Sequence, residues 1–244
     1  MNGIVIIPAR LKSTRLPEKP LADIHGKSMI QHVYERCCIA IERNNVYVAT
    51  DSERIRDEVH SFGGNIVMTS DKCLTGTDRI AEANEIINAD FVINVQGDEP
   101  MINPNDVKLV HDAMIKDSSN ILNCFCKIQE DEISMPSVPK VVISNSNRLI
   151  YMSRSGIPFN KNMKPFAKYK QVCIYGFNKN HLKIFTSQHK KTNNELVEDL
   201  EILRFLDLDV TVKMIQVSEG GIAVDTPHDL ERVRASMKNV TRNA

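Results

Sequence analysis

The sequence predicts an α/β protein of three layers, with a mostly parallel central sheet and a smaller second lobe. Apolar β-branched runs alternate with helical patterns through the first half, an order that gives a parallel sheet covered by helices on both faces. The first run, Gly3 to Pro8, is apolar throughout, as expected of a strand buried on both faces. The 244 residues suit one domain, 1–244, in which about 120–210 form the lobe.

Strands and helices follow one another regularly in the first half. Ser28 and Ser52 stand before helical patterns as N-caps, Gly63-Gly64 ends the second pattern, and Asn103-Pro104 opens a further helix. The predicted strands are 3–8, 45–50, 66–69 and 91–95, and the predicted helices are 29–41, 53–62, 77–87 and one from 104.

The second half is less regular. Residues 121–127, 140–144 and 171–177 have strand patterns, and about 145–170 are predicted as loops from several Asn, Gly and Pro residues that include Pro165. One helix is predicted over 195–206, and Thr226-Pro227 opens the last helix.

The composition argues against several classes of protein. Lys and Arg number 31 and so do Asp and Glu, for a net charge of +0, so no general charge favours nucleic-acid or membrane binding. The six cysteines form no C-x-x-C pair and are predicted to be free thiols. The apolar start is shorter than a signal peptide, and no stretch is long enough to span a membrane. We therefore expect a cytoplasmic protein.

A cationic segment follows the first predicted strand. It carries Arg10, Lys12, Arg15 and Lys19 where parallel sheets bind ligands, beyond the carboxyl end of a strand. Arginine holds a phosphate through paired hydrogen bonds and lysine adds a point charge, so the segment suits a triphosphate and its leaving pyrophosphate. Neither the glycine-rich dinucleotide pattern nor a P-loop is present, which argues against a dehydrogenase and an ordinary kinase. A solvated basic turn is the alternative interpretation.

Two aspartates are candidates for a magnesium site. Asp98 follows the predicted strand 91–95, and Asp225 follows an apolar segment just before the last helix. Magnesium takes one or two carboxylates with substrate phosphates and water, so the pair would serve if the last segment returns to the same edge of the sheet. The alternatives are a turn residue for Asp98 and, for Asp225, an acid favoured by the helix dipole.

The segment Thr75 to Arg79 precedes a predicted helix. Backbone N–H groups at a helix start, together with Arg79, can hold a pyrimidine edge or a phosphate. The alternative is a simple capped helix start, with Thr77 as the cap.

Several motifs occur in a fixed order along nearly the whole chain. The longest is IIPARLKSTRLPEKPL, and it is followed by IQHVYER, VATD, GTDR, NVQGDEP, SRSGIP, IYG, LEILR and VDTPHDLE. Each motif alone is weakly specific. The ordered set resembles the family of 3-deoxy-manno-octulosonate (KDO) cytidylyltransferases.

This resemblance implies a three-layer nucleotidyltransferase fold and an enzyme that couples CTP to the anomeric hydroxyl of KDO or a close relative and releases pyrophosphate. It implies a homodimer, magnesium on Asp98 and Asp225, and phosphate stabilisation by Arg10, Arg15 and Lys19. Positioning and charge neutralisation would dominate such a transfer, with no side chain required as a general base. The implied nucleotide contacts are Ala9, Arg10, Gly76 and Arg79, and the implied sugar contacts are Gln96, Arg154, Gln171, Tyr175, Glu201, Ile202 and Arg204.

Two polar positions of the implied sugar site depart from the family pattern. The family usually shows His where this chain has Gln171, and Gln where it has Ile202. Glutamine cannot become a cation, and isoleucine has no hydrogen-bonding group. We expect a preferred sugar that differs from KDO at one substituent, such as a less hydroxylated or amino-bearing relative. The alternative is a neutral replacement in which water or a neighbour fills the gap.

Two other functions stay open. One is CMP activation of a different acidic sugar, such as a sialic-acid-like nonulosonate. The other is a catalytically retired scaffold that binds a nucleotide, and the intact cationic and acidic motifs argue against it.

Overall fold

The computed structural model describes residues 1–162, 166–218 and 220–242, with the backbone alone for 239–242. The strands are β1 Gly3–Pro8, β2 Asp23–Ile24, β3 Lys27–Ser28, β4 Val46–Thr50, β5 Asn65–Met68, β6 Phe91–Val95, β7 Ile121–Lys127, β8 Lys140–Ile143, β9 Leu149–Ser153, β10 Tyr169–Asn178 and β11 Val212–Gln216. The helices are α1 Met29–Ala40, α2 Glu53–Ser61, α3 Gly76–Ile87, α4 Pro104–Lys116, α5 Lys179–Thr186, α6 Asn193–Glu198, α7 Ile202–Asp207 and α8 Pro227–Arg242. No helix in these ranges is long and apolar enough to cross a membrane.

The central sheet is mostly parallel, as predicted. Its strand order is β11-β7-β10-β6-β1-β4-β5, with β8 beside β10 and β9 beside β8. Strand β10 is antiparallel to both β6 and β7, while the other neighbouring pairs along this row are parallel. Strands β7 and β10, from the predicted second lobe, therefore lie inside the central sheet.

Helices cover both faces of the sheet, which confirms the three-layer prediction. One apolar cluster contains Val33, Val59 and Val110 from α1, α2 and α4. The opposite cluster contains Ile80 of α3 and Phe205 of α7, together with residues of α5. These two cores hold the sheet rigid, so the loops at its carboxyl edge start from fixed points.

A third, smaller cluster brings the C-terminal segment back to the N-terminal loop. Leu230 and Val233 of α8 pack with Val224 and with Ile24 of the β2–β3 hairpin. The Val224 amide donates to the Asp98 carbonyl oxygen at 2.9 Å. This return places Asp225 beside the loop that follows β6.

Local signals at most helix starts are confirmed. The side chains of Ser28 and Ser52 accept hydrogen bonds from the N–H groups of the first turns of α1 and α2. At α3, however, the cap is Thr75, whose hydroxyl accepts from the Asp78 amide at 3.1 Å. The assignment of Thr77 as the N-cap of this helix was therefore wrong.

The largest differences from the prediction lie in the second half. The single helix predicted over 195–206 is two helices, because Asp199 adopts a left-handed conformation with φ 51° that ends α6. Strand β9 lies within the predicted loop 145–170, while Pro165 lies outside the described residues. Helix α5 and strand β11 were not predicted.

Candidate active site

An open cleft lies beyond the carboxyl ends of β1 and β6, where a parallel sheet is expected to bind its ligand. Its empty volume is about 910 Å³, including the part open to solvent. The loops after β1 and β6, the segment before α3 and two segments of the second half form its walls. The lining residues are Pro8, Ala9, Arg10, Lys19, Pro20, Cys73, Leu74, Thr75, Gly76, Arg79, Gln96, Gly97, Asp98, Lys191, Asp199 and Glu201.

The two predicted metal carboxylates meet at one point of this cleft, around the Lys19 ammonium. Lys19 Nζ lies 2.6 Å from Asp98 Oδ2 and 3.1 Å from Asp225 Oδ1. Burial by itself would lower the pKa of Lys19, but Asp98 and Asp225 together raise it above its usual value. The structure thus brings the predicted carboxylate pair together with Lys19 of the cationic segment.

Close backbone packing fixes the position of Asp98. Gly97 lies directly against the end of β1, and a Cβ atom there would come within 3.0 Å of the Pro8 carbonyl oxygen. Because real Cβ atoms are almost always farther from a carbonyl oxygen than this, a larger residue would push the Gln96–Asp98 loop away from the cleft. On the other side, the Val224 amide holds the Asp98 carbonyl.

The other cations of the N-terminal segment face solvent or the cleft. Arg10 and Lys12 are exposed, and Arg10 lines the cleft. Arg15 places one guanidinium nitrogen 3.1 Å from Asp225 Oδ1, with its side chain 60% exposed. Such exposed side chains can turn toward an incoming anion at low cost.

The start of α3 is already occupied by a carboxylate of the protein. Glu201 accepts hydrogen bonds from the Gly76 amide at 2.9 Å and from the Thr77 amide at 2.8 Å. Burial raises the pKa of the Glu201 carboxyl, and these hydrogen bonds oppose that rise. Glu201 lines the cleft, yet both of its oxygens hold the segment before α3 in place.

Arg79 also lines the cleft but is engaged with neighbouring strand ends. Its guanidinium forms an ion pair with Asp51 at 3.1 Å and donates to Thr69 Oγ1 at 2.5 Å. Asp51, which directly follows β4, therefore acts as the partner that orients Arg79.

Five of the seven predicted sugar contacts do not line the cleft, and three of these, Arg204, Ile202 and Arg154, contact other parts of the protein instead. Arg204 is fully buried, holds both oxygens of the buried Glu195 at 2.6 and 2.7 Å, and lies over the Phe185 ring. Ile202 belongs to the apolar core on that face of the sheet. Arg154 donates to the carbonyl oxygens of Glu198 and Asp199 at 2.6 and 3.1 Å. Arg154 thus fixes the α6–α7 junction, whereas Arg204 stabilises the core beneath it.

Behind the loop after β6 lies a chain of buried polar side chains. Gln171 Nε2 donates to Asn123 Oδ1 at 3.1 Å and to the Tyr175 hydroxyl at 2.9 Å. Cys173, on a bulge of β10, lies beside both Tyr175 and Glu99. Burial, with a smaller contribution from Asp98, raises the pKa of Glu99 to about 8. Gln171 and Tyr175 are not among the residues that line the cleft.

Two charged residues of the cleft were missed by the sequence analysis. Lys191 precedes α6 and pairs with Asp199 at 2.5 Å, and the Lys191 hydrogen bond is the main cause that lowers the pKa of Asp199. Neither residue belongs to a recognised motif. Because the break at Asp199 was read as continuous helix, nothing in the pattern indicated that its side chain reaches the cleft.

Known proteins resemble this chain along almost its full length. A family model described as cytidylyltransferase matches residues 4–213. The 3-deoxy-manno-octulosonate cytidylyltransferase of Escherichia coli is 41% identical over 237 residues, which cover 97% of this chain and 96% of that protein. The 8-amino-3,8-dideoxy-manno-octulosonate cytidylyltransferase of Shewanella baltica (strain OS185) is 38% identical over 238 residues, 95% of this chain and 97% of that protein.

A solved structure gives the same result. The structure of CMP:2-keto-3-deoxy-manno-octonic acid synthetase complexed with CTP matches with a TM-score of 0.89 and 39% identity, covering 98% of this chain and 99% of the other. The family model, the two relatives and this fold agree with the motifs that meet in the cleft. The chain belongs to the cytidylyltransferase family that includes the 3-deoxy-manno-octulosonate enzymes.

Proposed function

We propose that this chain transfers CMP from CTP to the anomeric hydroxyl of KDO or a close ulosonic relative and releases pyrophosphate. The observation that carries the proposal is the meeting of Lys19, Asp98 and Asp225 at one point of a cleft whose rim bears Arg10. A triphosphate has the charge to match these cations, and two carboxylates can hold its metal.

The donor set fits magnesium. Asp98 and Asp225 present oxygens to a common point, and no cluster of three His, Cys, Asp or Glu able to hold a metal occurs in the described part of the chain. Magnesium binds through one or two carboxylates and completes its shell with phosphates and water. When bound there, it supplies positive charge to the α-phosphate and lowers the pKa of the attacking hydroxyl.

The protein itself positions the reactants. Arg10, Arg15 and Lys19 stabilise the charge on the phosphates as pyrophosphate leaves. Ala9 and Gly76 let the nucleotide approach the backbone, and Glu201 keeps the segment before α3 fixed. Holding the hydroxyl in line with the α-phosphate then accounts for most of the rate.

We place the acceptor sugar between Gln96 and the lobe of about 120–210, with Gln171 and Tyr175 supporting its wall. Ile202 and Arg204 are left out of this acceptor site, because both are buried in the core. The name of the Shewanella relative specifies an amino-bearing sugar, so 8-amino-KDO is a second candidate acceptor. The change at Gln171 supports testing both sugars.

We also propose a homodimer formed by this lobe, in the cytoplasm. The exposed large apolar side chains of the lobe include Ile150, Phe159, Leu196 and Val197, and exposed apolar groups of this kind often mark protein interfaces. All six cysteines are free thiols, which fits a reducing compartment. Light scattering during size-exclusion chromatography, with Val197→Glu as the variant, tests the dimer. A wild-type protein that elutes as a monomer would exclude it.

The test of function is a panel of acidic sugars offered with CTP and Mg²⁺. KDO, 8-amino-KDO and a sialic acid are compared by pyrophosphate release and by the mass of the product. We expect a CMP-sugar from one of the first two. Turnover with the sialic acid alone would establish the nonulosonate alternative, and CTP binding without turnover on any sugar would establish the retired scaffold.

A further inference from the structure

The Lys19 ammonium stands where a divalent cation would bind. It lies within 3.1 Å of both Asp98 and Asp225, and its side chain is only 17% exposed. Arg15 contacts Asp225 alone and is 60% exposed. Lys19 is thus the better-buried cation, and the one that satisfies both carboxylates.

We propose that Lys19 is an exchangeable cation that couples metal binding to nucleotide binding. The inference rests on the proposed metal site. A divalent ion that takes the two carboxylates displaces the ammonium, because two cations cannot share the same oxygens at this distance. The displaced ammonium then needs another anion, and the triphosphate supplies it.

The backbone around Lys19 favours movement of the side chain alone. Glu18 adopts a left-handed conformation with φ 54° before the 3-10 turn Lys19–Leu21, and its carboxylate forms an ion pair with Arg54 of α2. Pro17 and Pro20 restrict the chain on either side. The flexible four-carbon stem of Lys19 can therefore redirect its charge within the cleft while the turn stays in place.

The consequence is reciprocal cooperativity. Metal binding alone is weakened by the need to remove Lys19 from its partners, and nucleotide binding alone is weakened because Lys19 is held by the carboxylates. When both ligands bind, each removes the obstacle to the other. Linkage requires the two effects to be equal in free energy.

The first measurement is Mn²⁺ binding in the absence of nucleotide. The electron paramagnetic resonance signal of free Mn²⁺ monitors the binding. We expect Lys19→Met to bind Mn²⁺ about tenfold more tightly than the wild type, because a competing charge has been removed. Lys12→Met is the matched control, since Lys12 is an exposed cation of the same segment, and it should leave the affinity unchanged. Lys19→Ala repeats the test with a shorter side chain, and thermal unfolding checks that each variant is folded.

The second measurement is calorimetric binding of a non-hydrolysable α,β-methylene CTP analogue with and without Mn²⁺. The gain in affinity that Mn²⁺ gives should be smaller in Lys19→Met than in the wild type. Unchanged or weaker Mn²⁺ binding by folded Lys19→Met overturns the exchange, while the metal site still stands if Asp98→Asn abolishes Mn²⁺ binding. Mn²⁺ binding that is insensitive to Asp98→Asn overturns both the exchange and the proposed metal site.

Discussion

The two sides of the cleft use their charged residues differently. On the side of the N-terminal loop, Arg10 and Arg15 are exposed, and Lys19, which lines the cleft, is held by Asp98 and Asp225. On the side of α6 and α7, Arg154 and Arg204 use their guanidinium groups on carbonyls and carboxylates of the protein itself. A charge that can change its partner is suited to ligand binding, whereas a charge that is fully paired in the interior holds the shape.

Removing a metal carboxylate should give the largest effect on the first side. We expect Asp98→Asn or Asp225→Asn to lower kcat about a thousandfold, or about 4 kcal/mol of transition-state stabilisation, because one charged ligand is lost. Both side chains are 29% exposed, so the melting temperature should change little. Steady-state pyrophosphate release measures the rate, with the exposed Asp131→Asn as control. Near-normal turnover in both variants would exclude the metal assignment.

Removing Arg204 should act on stability instead. In Arg204→Met the fully buried Glu195 carboxylate loses its partner, and breaking such a pair costs about 3–5 kcal/mol. Urea unfolding measures the loss. The double variant Arg204→Met/Glu195→Met should regain much of it, because the fully buried Glu195 charge is removed together with its partner, and only the 3.3 Å contact of Arg204 with the partly exposed Asp78 is still lost. A normal unfolding curve with a raised KM for the sugar would instead place Arg204 in the acceptor site.

The ionisation of the buried Glu99, next to Asp98, predicts how the stability of the protein depends on pH. Its folded pKa is raised from 4.5 to about 8, first by burial and then by Asp98, so the folded protein holds a proton that the unfolded chain releases. Stability that depends on this proton is complete below pH 4.5 and is lost as the pH rises through about 8. The free energy of unfolding then falls by at most about 1.4 kcal/mol per pH unit.

The variant Glu99→Gln lacks this loss. Between pH 5 and 8, in chelator-treated protein, it should gain about 1–3 kcal/mol relative to the wild type. Urea unfolding across the pH range measures the difference, and Glu130→Gln, at an exposed position, is the control. Parallel pH profiles of Glu99→Gln and the wild type would show that Glu99 is ionised in both the folded and the unfolded protein.

The smallest effect is expected at the two positions that depart from the family pattern. Gln171→His alters the wall that contains Tyr175 and Asn123, and we expect a change of about tenfold or less in the ratio of kcat/KM between KDO and 8-amino-KDO. Ile202→Gln places an amide in the apolar core and should lower the stability by about 1–3 kcal/mol without improving turnover. If Ile202→Gln raised kcat/KM for KDO without loss of stability, residue 202 would belong to the acceptor site after all.

The sequence predicted most of what depends on local signals. The first-half elements follow from short periodic patterns and caps such as Ser28 and Ser52, and the order of strand and helix predicts the parallel sheet. The motifs also indicated the carboxylate pair, although the pairing depends on contacts between Val224 and the Asp98 loop. Contacts between segments that are far apart in the sequence produce no periodic pattern of residues, so they cannot be predicted from it.

The functions of the second-half charges could not be predicted in the same way. Glu201 and Arg204 belong to one motif, yet Glu201 binds the start of α3, 125 positions away, and Arg204 pairs with Glu195 in the interior. A motif shows that residues occur together, but burial decides whether a charge meets a ligand or another part of the protein. The left-handed residue Asp199, which separates the two helices, is equally invisible to helical periodicity.

The proposed metal site would also set the moment at which the protein can become active during its synthesis. Lys19 and Asp225, which touch in the folded protein, are 206 positions apart in sequence. At about 5–20 residues per second, a ribosome that has made the cationic loop needs about 10–40 s more to reach the second aspartate. Until then the nascent chain holds the cationic segment and Asp98 but lacks half of the proposed metal site. If the proposed metal site is correct, a partly made chain cannot consume CTP, and activity begins only when α8 docks.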